Sequence, residues 1–140
     1  MTMESSQRRL TVVDAASNLG LKPVPTGEPG VKHLARVLRA HGLVERLKAE
    51  DAGAVVPPPY EAAMDPTIKV RNAAKIRDYS RELANRIKEL LEQGRFPIVL
   101  GGDRSVLLGI ALGLRRQSRH GLLFVDGHSD LLTAGETRSQ

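Results

Sequence analysis

Asp126-Gly127-His128-Ser129-Asp130 gathers two carboxylates and one imidazole into five consecutive residues. Positions 126, 128 and 130 alternate, so on an extended chain they project to one face. That donor set is hard to borderline and suits Mn²⁺ better than a thiophilic metal. Without a cation, two acids so close repel each other and one takes up a proton. The alternative is a solvated turn in which Asp126 and Asp130 cap local backbone groups and His128 is incidental. On the motif alone the two readings weigh about equally. The apolar run Gly121 to Val125 directly before it favours a site, because open α/β sheets place ligands at the carboxyl ends of their strands.

Gly101-Gly102-Asp103-Arg104-Ser105 is the second segment with chemical content. Paired glycines permit a sharp strand-to-helix turn, and Asp103 can cap the helix that follows. The functional reading puts a ligand or an active-site group at that helix start, where anions are also attracted. It lacks the Lys-Ser/Thr ending of a P-loop and the spacing of a dinucleotide fingerprint. Standing alone, the segment reads as a capped tight turn.

The elements that must position these segments follow from periodicity. Leu10 to Ala16 reads as a short, β-branched strand, followed by a Gly- and Pro-rich loop from Leu21 to Gly30. Val31 to Leu47 carries apolar positions at Leu34, Val37, Leu38, Leu43, Val44 and Leu47, and Gly42 divides it into two short helices. Gly53 to Val56 is a second candidate strand, closed by Pro57-Pro58-Pro59, which cannot continue a ladder. The clearest helix runs from about Ile68 to Gln93, with Ile76, Leu83, Ile87, Leu90 and Leu91 on one face and Gly94 as its cap. A strand from Phe96 to Leu100 leads into the glycine turn. Ser105 to Leu114 is apolar almost all round and reads as a buried helix, its end marked by Arg115-Arg116. Gly121 to Val125 reads as a final, fully buried strand. Strands alternating with helices predict an α/β layered fold with a parallel sheet.

Composition narrows the function classes. The 140 residues suit one modest domain, and 3% aromatics with no Trp leave the core to Leu, Val, Ile and Ala. The formal charge of +5 raises a nucleic-acid partner as a question. The basic residues argue against one: Arg77, Arg81, Arg86 and Lys88 alternate with Glu82 and Glu89 at helical spacing, the pattern of a solvated face. Aromatic stacking platforms for single strands are nearly absent. With no cysteine, thiolate nucleophiles and zinc–thiolate sites are excluded. No stretch approaches membrane-spanning length and no export signal is recognisable, so the expectation is a cytoplasmic chain with neither a membrane nor a nucleic-acid partner.

GGDRS followed about twenty residues later by VDGHSD resembles the ureohydrolase family of arginases, agmatinases and formiminoglutamases. There the first motif typically reads GGDHS and the second DAHxD or DGHxD. Likeness extends to the Glu28-Pro29-Gly30-Val31 loop, the helix ending Gly42-Leu43-Val44-Glu45-Arg46-Leu47, and FPIVLGGD after a long helix. The resemblance implies a three-layer α/β/α, arginase-like fold with a mainly parallel sheet, incomplete in this chain, and residues 1–140 as a single domain akin to its amino-terminal half. It implies a manganese-dependent hydrolase of non-peptide C–N bonds in linear amidines, acting on a small guanidino or amidine substrate and assembled as a homo-oligomer. Two manganese ions would activate water for attack on the guanidinium carbon. Carried over by position, Asp126 bridges both metals, His128 ligates one and Asp130 the other. Asp103 stands behind the site, and Asp103 and His128 are the candidate catalytic residues.

Three departures qualify that expectation. Arg104 stands where the family has its first metal-ligating His; a guanidinium stays protonated and has no lone pair for a cation. The expectation is that Arg104 sets a positive charge beside Asp126 and Asp130 and partly replaces one metal, leaving one manganese or none; the alternative is that it turns to solvent. Family members also continue with a motif carrying two more aspartates, whereas Gln140 follows Asp130 by ten residues. The expectation is therefore a truncated chain whose last strand lacks its neighbour and covering helices. Finally, Leu131 to Thr137 lacks the family's amino-acid-gripping residues, which leaves the substrate open, with Glu136 as a guessed contact. The runner-up reading is a catalytically inactive scaffold or interaction protein that kept the fold and lost the metal centre. His33, His41 and His120 have no neighbouring donors and read as surface or boundary residues.

Overall fold

The computed structural model describes residues 8–115 and 120–127. Strand β1 (Arg9–Ala15) leads through a loop and a 3₁₀ turn (Gly30–His33) into helices α1 (Leu34–Ala40) and α2 (Leu43–Leu47). Then come β2 (Glu50–Ala54), the long helix α3 (Ala73–Glu92), β3 (Arg95–Gly101) and α4 (Val106–Arg115). The sheet is entirely parallel with order β2-β1-β3. β1 is central, so its alternate residues must be apolar on both faces. Val13 and Ala15 pack with α3 and α4 through Ile76, Leu83, Ile87 and Ile110. Val12 points the other way, into a cluster with Ala35 and Leu100 that Leu38, Leu43 and Val44 complete. Helices thus cover both faces, which is the three-layer architecture expected.

The tightest layer contact is α3 against α4. A Cβ on Gly109 would lie 2.9 Å from Leu83 Cβ and 3.0 Å from the Ser80 carbonyl oxygen. One turn on, a Cβ on Gly113 would lie 2.9 Å from the Ala84 carbonyl oxygen. The four-residue glycine spacing therefore lets one backbone settle on the other.

The other face is fastened by charge. Arg39 on α1 donates from Nε to both carboxylate oxygens of Asp14 at 2.9 Å, and from its two Nη atoms to Asp51 at 2.8 and 2.9 Å. One guanidinium thereby joins α1, β1 and β2. The Arg39 hydrogen bond, then the Gly53 N–H, hold the Asp51 carboxyl below the usual aspartate range.

Four expectations are corrected. The second strand is Glu50–Ala54, not Gly53–Val56, because pairing with β1 and the Arg9–Glu50 and Arg39–Asp51 ion pairs place it among charged residues that propensity disfavours. The long helix starts at Ala73 rather than near Ile68. Asn72 holds a left-handed conformation (φ 51°) while its side chain bonds the Leu19 and Glu61 carbonyls, which stops the helix from extending backwards. Helix α4 is not buried all round: Val106, Gly109, Ile110 and Gly113 are inside, but Leu108 is 60% exposed. Residues Gly121 to Val125 form no strand, and Leu122, Leu123, Phe124 and Val125 are all exposed, since no described element flanks or covers them. Leu34 and Val37 also face outward, and Ala35 supplies the buried contact of α1. Among the described residues no helix is long and apolar enough to cross a membrane.

Two outcomes follow from this packing. Gly109→Val should lower unfolding free energy by about 1–3 kcal/mol in urea titrations, because the new side chain meets α3 backbone rather than a movable tip. Asp51 has a lowered folded-state pKa, so its contribution is complete above the unfolded value of roughly 4 and is lost as pH falls through the folded one. Asp51→Asn should therefore show a shallower loss of melting temperature between pH 5 and about 3 than the unsubstituted chain.

Candidate functional site

The carboxyl ends of β1 and β3 lie side by side, and the loops leaving them meet. Gly102 sits so close to the β1 exit loop that a Cβ there would fall 1.8 Å from the Ser17 carbonyl oxygen, so only glycine fits. The next residue completes the join: the Asp103 N–H donates to Ser17 O at 2.8 Å. The Asp103 carboxylate is 6% exposed and accepts from the Gly20 N–H at 2.7 Å, the Ser105 N–H at 2.8 Å and the Ser105 hydroxyl. A buried carboxylate needs such donors, and here all of them come from the two loops it connects. The capping role expected of Asp103 is thus visible at the start of α4, but its other oxygen reaches across to the neighbouring loop.

The β1 exit loop is gripped from two further sides. Asn18 donates from Nδ2 to Glu28 Oε1 at 2.8 Å and to the Pro29 carbonyl at 3.1 Å, and Asn72 donates to the Leu19 carbonyl at 2.8 Å. Glu28 is held below the usual glutamate range by the Asn18 hydrogen bond, then by the one from Lys32. Ser17, Asn18, Gly20 and Asn72 did not emerge from the sequence. The signal was present in Ser17-Asn18-Leu19-Gly20, where turn-forming residues follow directly on a strand.

Arg104 follows Asp103 and turns the other way. Its side chain is half exposed, and Nε lies 3.4 Å from Asp126 Oδ2, whose side chain is 22% exposed. A positive charge thus stands beside Asp126, while the Arg104 side chain also keeps about half of its surface in solvent, 53%. This contact also brings the two motif segments together across 22 residues of sequence. Asp126 is the one proposed ligand that can be placed; His128, Asp130 and Glu136 lie outside the described residues. Among the described residues no group of three or more His, Cys, Asp or Glu side chains could hold a metal ion. His33 and His41 are exposed and His120 is intermediate, in keeping with surface or boundary roles.

Comparison with known proteins places this geometry. A family model described as the arginase family matches residues 27–140. The arginase of Bacillus caldovelox is 30% identical over 112 residues, which is 75% of this chain and 38% of that protein. Arginase-1 of Homo sapiens is 30% identical over an alignment covering 98% of this chain and 42% of the relative. Among solved structures, the native B. caldovelox arginase superposes with a TM-score of 0.72 at 25% identity, covering 94% of this chain and 44% of that one. The Bacillus cereus arginase superposes with a TM-score of 0.64 at 26% identity, covering 79% and 35%. The chain spans about two fifths of the length of the curated relatives it matches, at 38% and 42%.

The Asp103 join has a measurable consequence. Asp103→Asn exchanges one acceptor oxygen for a donor that faces either Gly20 N–H or Ser105 N–H, leaving buried donors opposed. Stability should fall by about 1–3 kcal/mol in chemical denaturation, with amide exchange accelerating at Gly20 and Ser105 before other positions.

Proposed function

The chain belongs to the arginase family, and from that premise we propose that it supplies part of the active site of a manganese-dependent hydrolase of non-peptide C–N bonds in linear amidines. The supporting observation is the convergence of the two motif segments, with Arg104 of GGDRS meeting Asp126 of DGHSD. In this reading Asp126, His128 and Asp130 are the cation ligands, and His128 also serves the chemistry. Asp103 is a positioning residue: both its oxygens are engaged in fixing the β1 and β3 loops, and it acts through the geometry of the turn that carries Arg104. The substrate is a small guanidino or amidine cation, attracted by the carboxylates. The active form is a homo-oligomer.

Arg104 cannot contribute to a two-cation centre, because a guanidinium offers no lone pair, and it already faces the Asp126 carboxylate. A catalytic metal usually keeps about three protein ligands. A manganese ion held by Asp126, His128 and Asp130 would supply Lewis acidity toward water or substrate. No step through a second ion can be drawn with Arg104 in place. The same contact favours the second reading, a family member that keeps the fold as a scaffold and has lost the centre.

Urea release separates the two. With manganese present, the hydrolase reading expects release from arginine, agmatine or a related guanidine, and a fall in kcat/KM of at least about a hundredfold in Asp126→Asn. Absence of release from every such substrate, by folded protein that also carries the remainder of an arginase-family domain, would favour the scaffold reading.

A further inference from the structure

We infer that Arg104 is a built-in counter-cation for Asp126, competing with any divalent ion for that carboxylate and holding the segment before it in place without metal. This rests on reading Asp126 as a cation ligand and concerns what occupies the carboxylate when no ion does. Three observations carry it. The guanidinium Nε lies 3.4 Å from Asp126 Oδ2, within ion-pair range. Arg104 is delivered there by a rigid turn, because Gly102 is wedged against Ser17 and Asp103 is bonded on both oxygens, so the arm starts from a fixed base. The Arg104 side chain is nevertheless 53% exposed, so its tip can swing away when a stronger cation arrives. The relation is therefore competition rather than blockage.

The chemistry is one-directional. A guanidinium remains charged at every pH the fold tolerates and offers no lone pair, so it neutralises Asp126 but never ligates a metal. A divalent ion at Asp126 must either displace Arg104 or accept a positive charge within a few ångströms. Each option weakens its binding, and the penalty depends on the charge at position 104 rather than on its bulk. Among the described residues, 120–127 pair with no strand; the ion pair joins their end to the β3–α4 turn.

Manganese binding to the full chain, measured by calorimetry with melting curves in chelator, tests this. Arg104→Gln removes the charge at similar length and should bind Mn²⁺ roughly five- to tenfold more tightly than the unsubstituted chain. At a fixed manganese concentration its melting temperature should rise further above the value in chelator than that of the parent does. Arg104→Lys retains the charge and should stay within about threefold of the parent. Equal affinities for parent and Arg104→Gln, within about twofold, would overturn the inference, as would weaker binding by Arg104→Gln. If affinities are equal but Asp126→Asn abolishes binding, the metal-site reading stands and only the role of Arg104 falls. If neither parent nor Arg104→Gln binds manganese, both fall.

Discussion

A buried carboxylate at the exit of the central sheet organises everything near the candidate site. The Asp103 carboxylate is buried and needs hydrogen-bond donors, and its donors are the N–H groups and hydroxyl of the two loops that leave β1 and β3. Gly102 makes this possible by letting the main chain of one loop lie against the main chain of the other. Neither residue works alone: a side chain at 102 would part the loops, and parted loops would strand the charge at 103. The position of Arg104, and through it that of Asp126, is inherited from this pair.

The sheet supplies the reason why those loops are adjacent. β1 is flanked by β2 on one side and β3 on the other, so the chain changes direction across the sheet after its second strand. Such a reversal opens a crevice at the carboxyl ends, where α/β folds bind ligands. In this chain Ser17, Gly102 and Asp103 join the two loops at that end of the sheet. The helices on either face are fastened differently: α3 and α4 through glycine-mediated backbone contact, α1 through the Arg39 guanidinium shared by Asp14 and Asp51. Apolar surface alone hardly distinguishes the two layers, because apart from Tyr79 both clusters consist of Val, Leu, Ile and Ala.

Membership of the arginase family and the Arg104–Asp126 contact pull the functional reading in different directions. On the function proposed, family membership argues for a cation at Asp126. The guanidinium already satisfies part of that demand, with the same sign of charge and none of the ligand chemistry. On the reading of Asp126 as a cation ligand, its carboxylate has two candidate counter-charges, a divalent ion and Arg104.

Much of this was legible in the residues themselves. The β-branched run of β1, the apolar run of β3 and the apolar stripe of α3 are local patterns, and the structure forms two strands and a helix there. The motifs named the family before any geometry was known. Local pattern could not reveal β2, whose Glu50 and Asp51 disfavour a strand until Arg9, Arg95 and Arg39 arrive from elsewhere in the chain. It could not reveal the start of α3 either, because Asn72 is held by carbonyls of residues 19 and 61. The apolar run at 121–125 shows the same limit: composition marks it as suited to a sheet interior, but a strand exists only where a neighbour offers its hydrogen bonds. The sequence by itself determined which residues can carry charge, donate, or turn sharply. Tertiary structure alone decided that Asp103 spends its charge on two loops and that Arg104 spends its own on Asp126, since pairing of distant groups depends on where the backbone brings them.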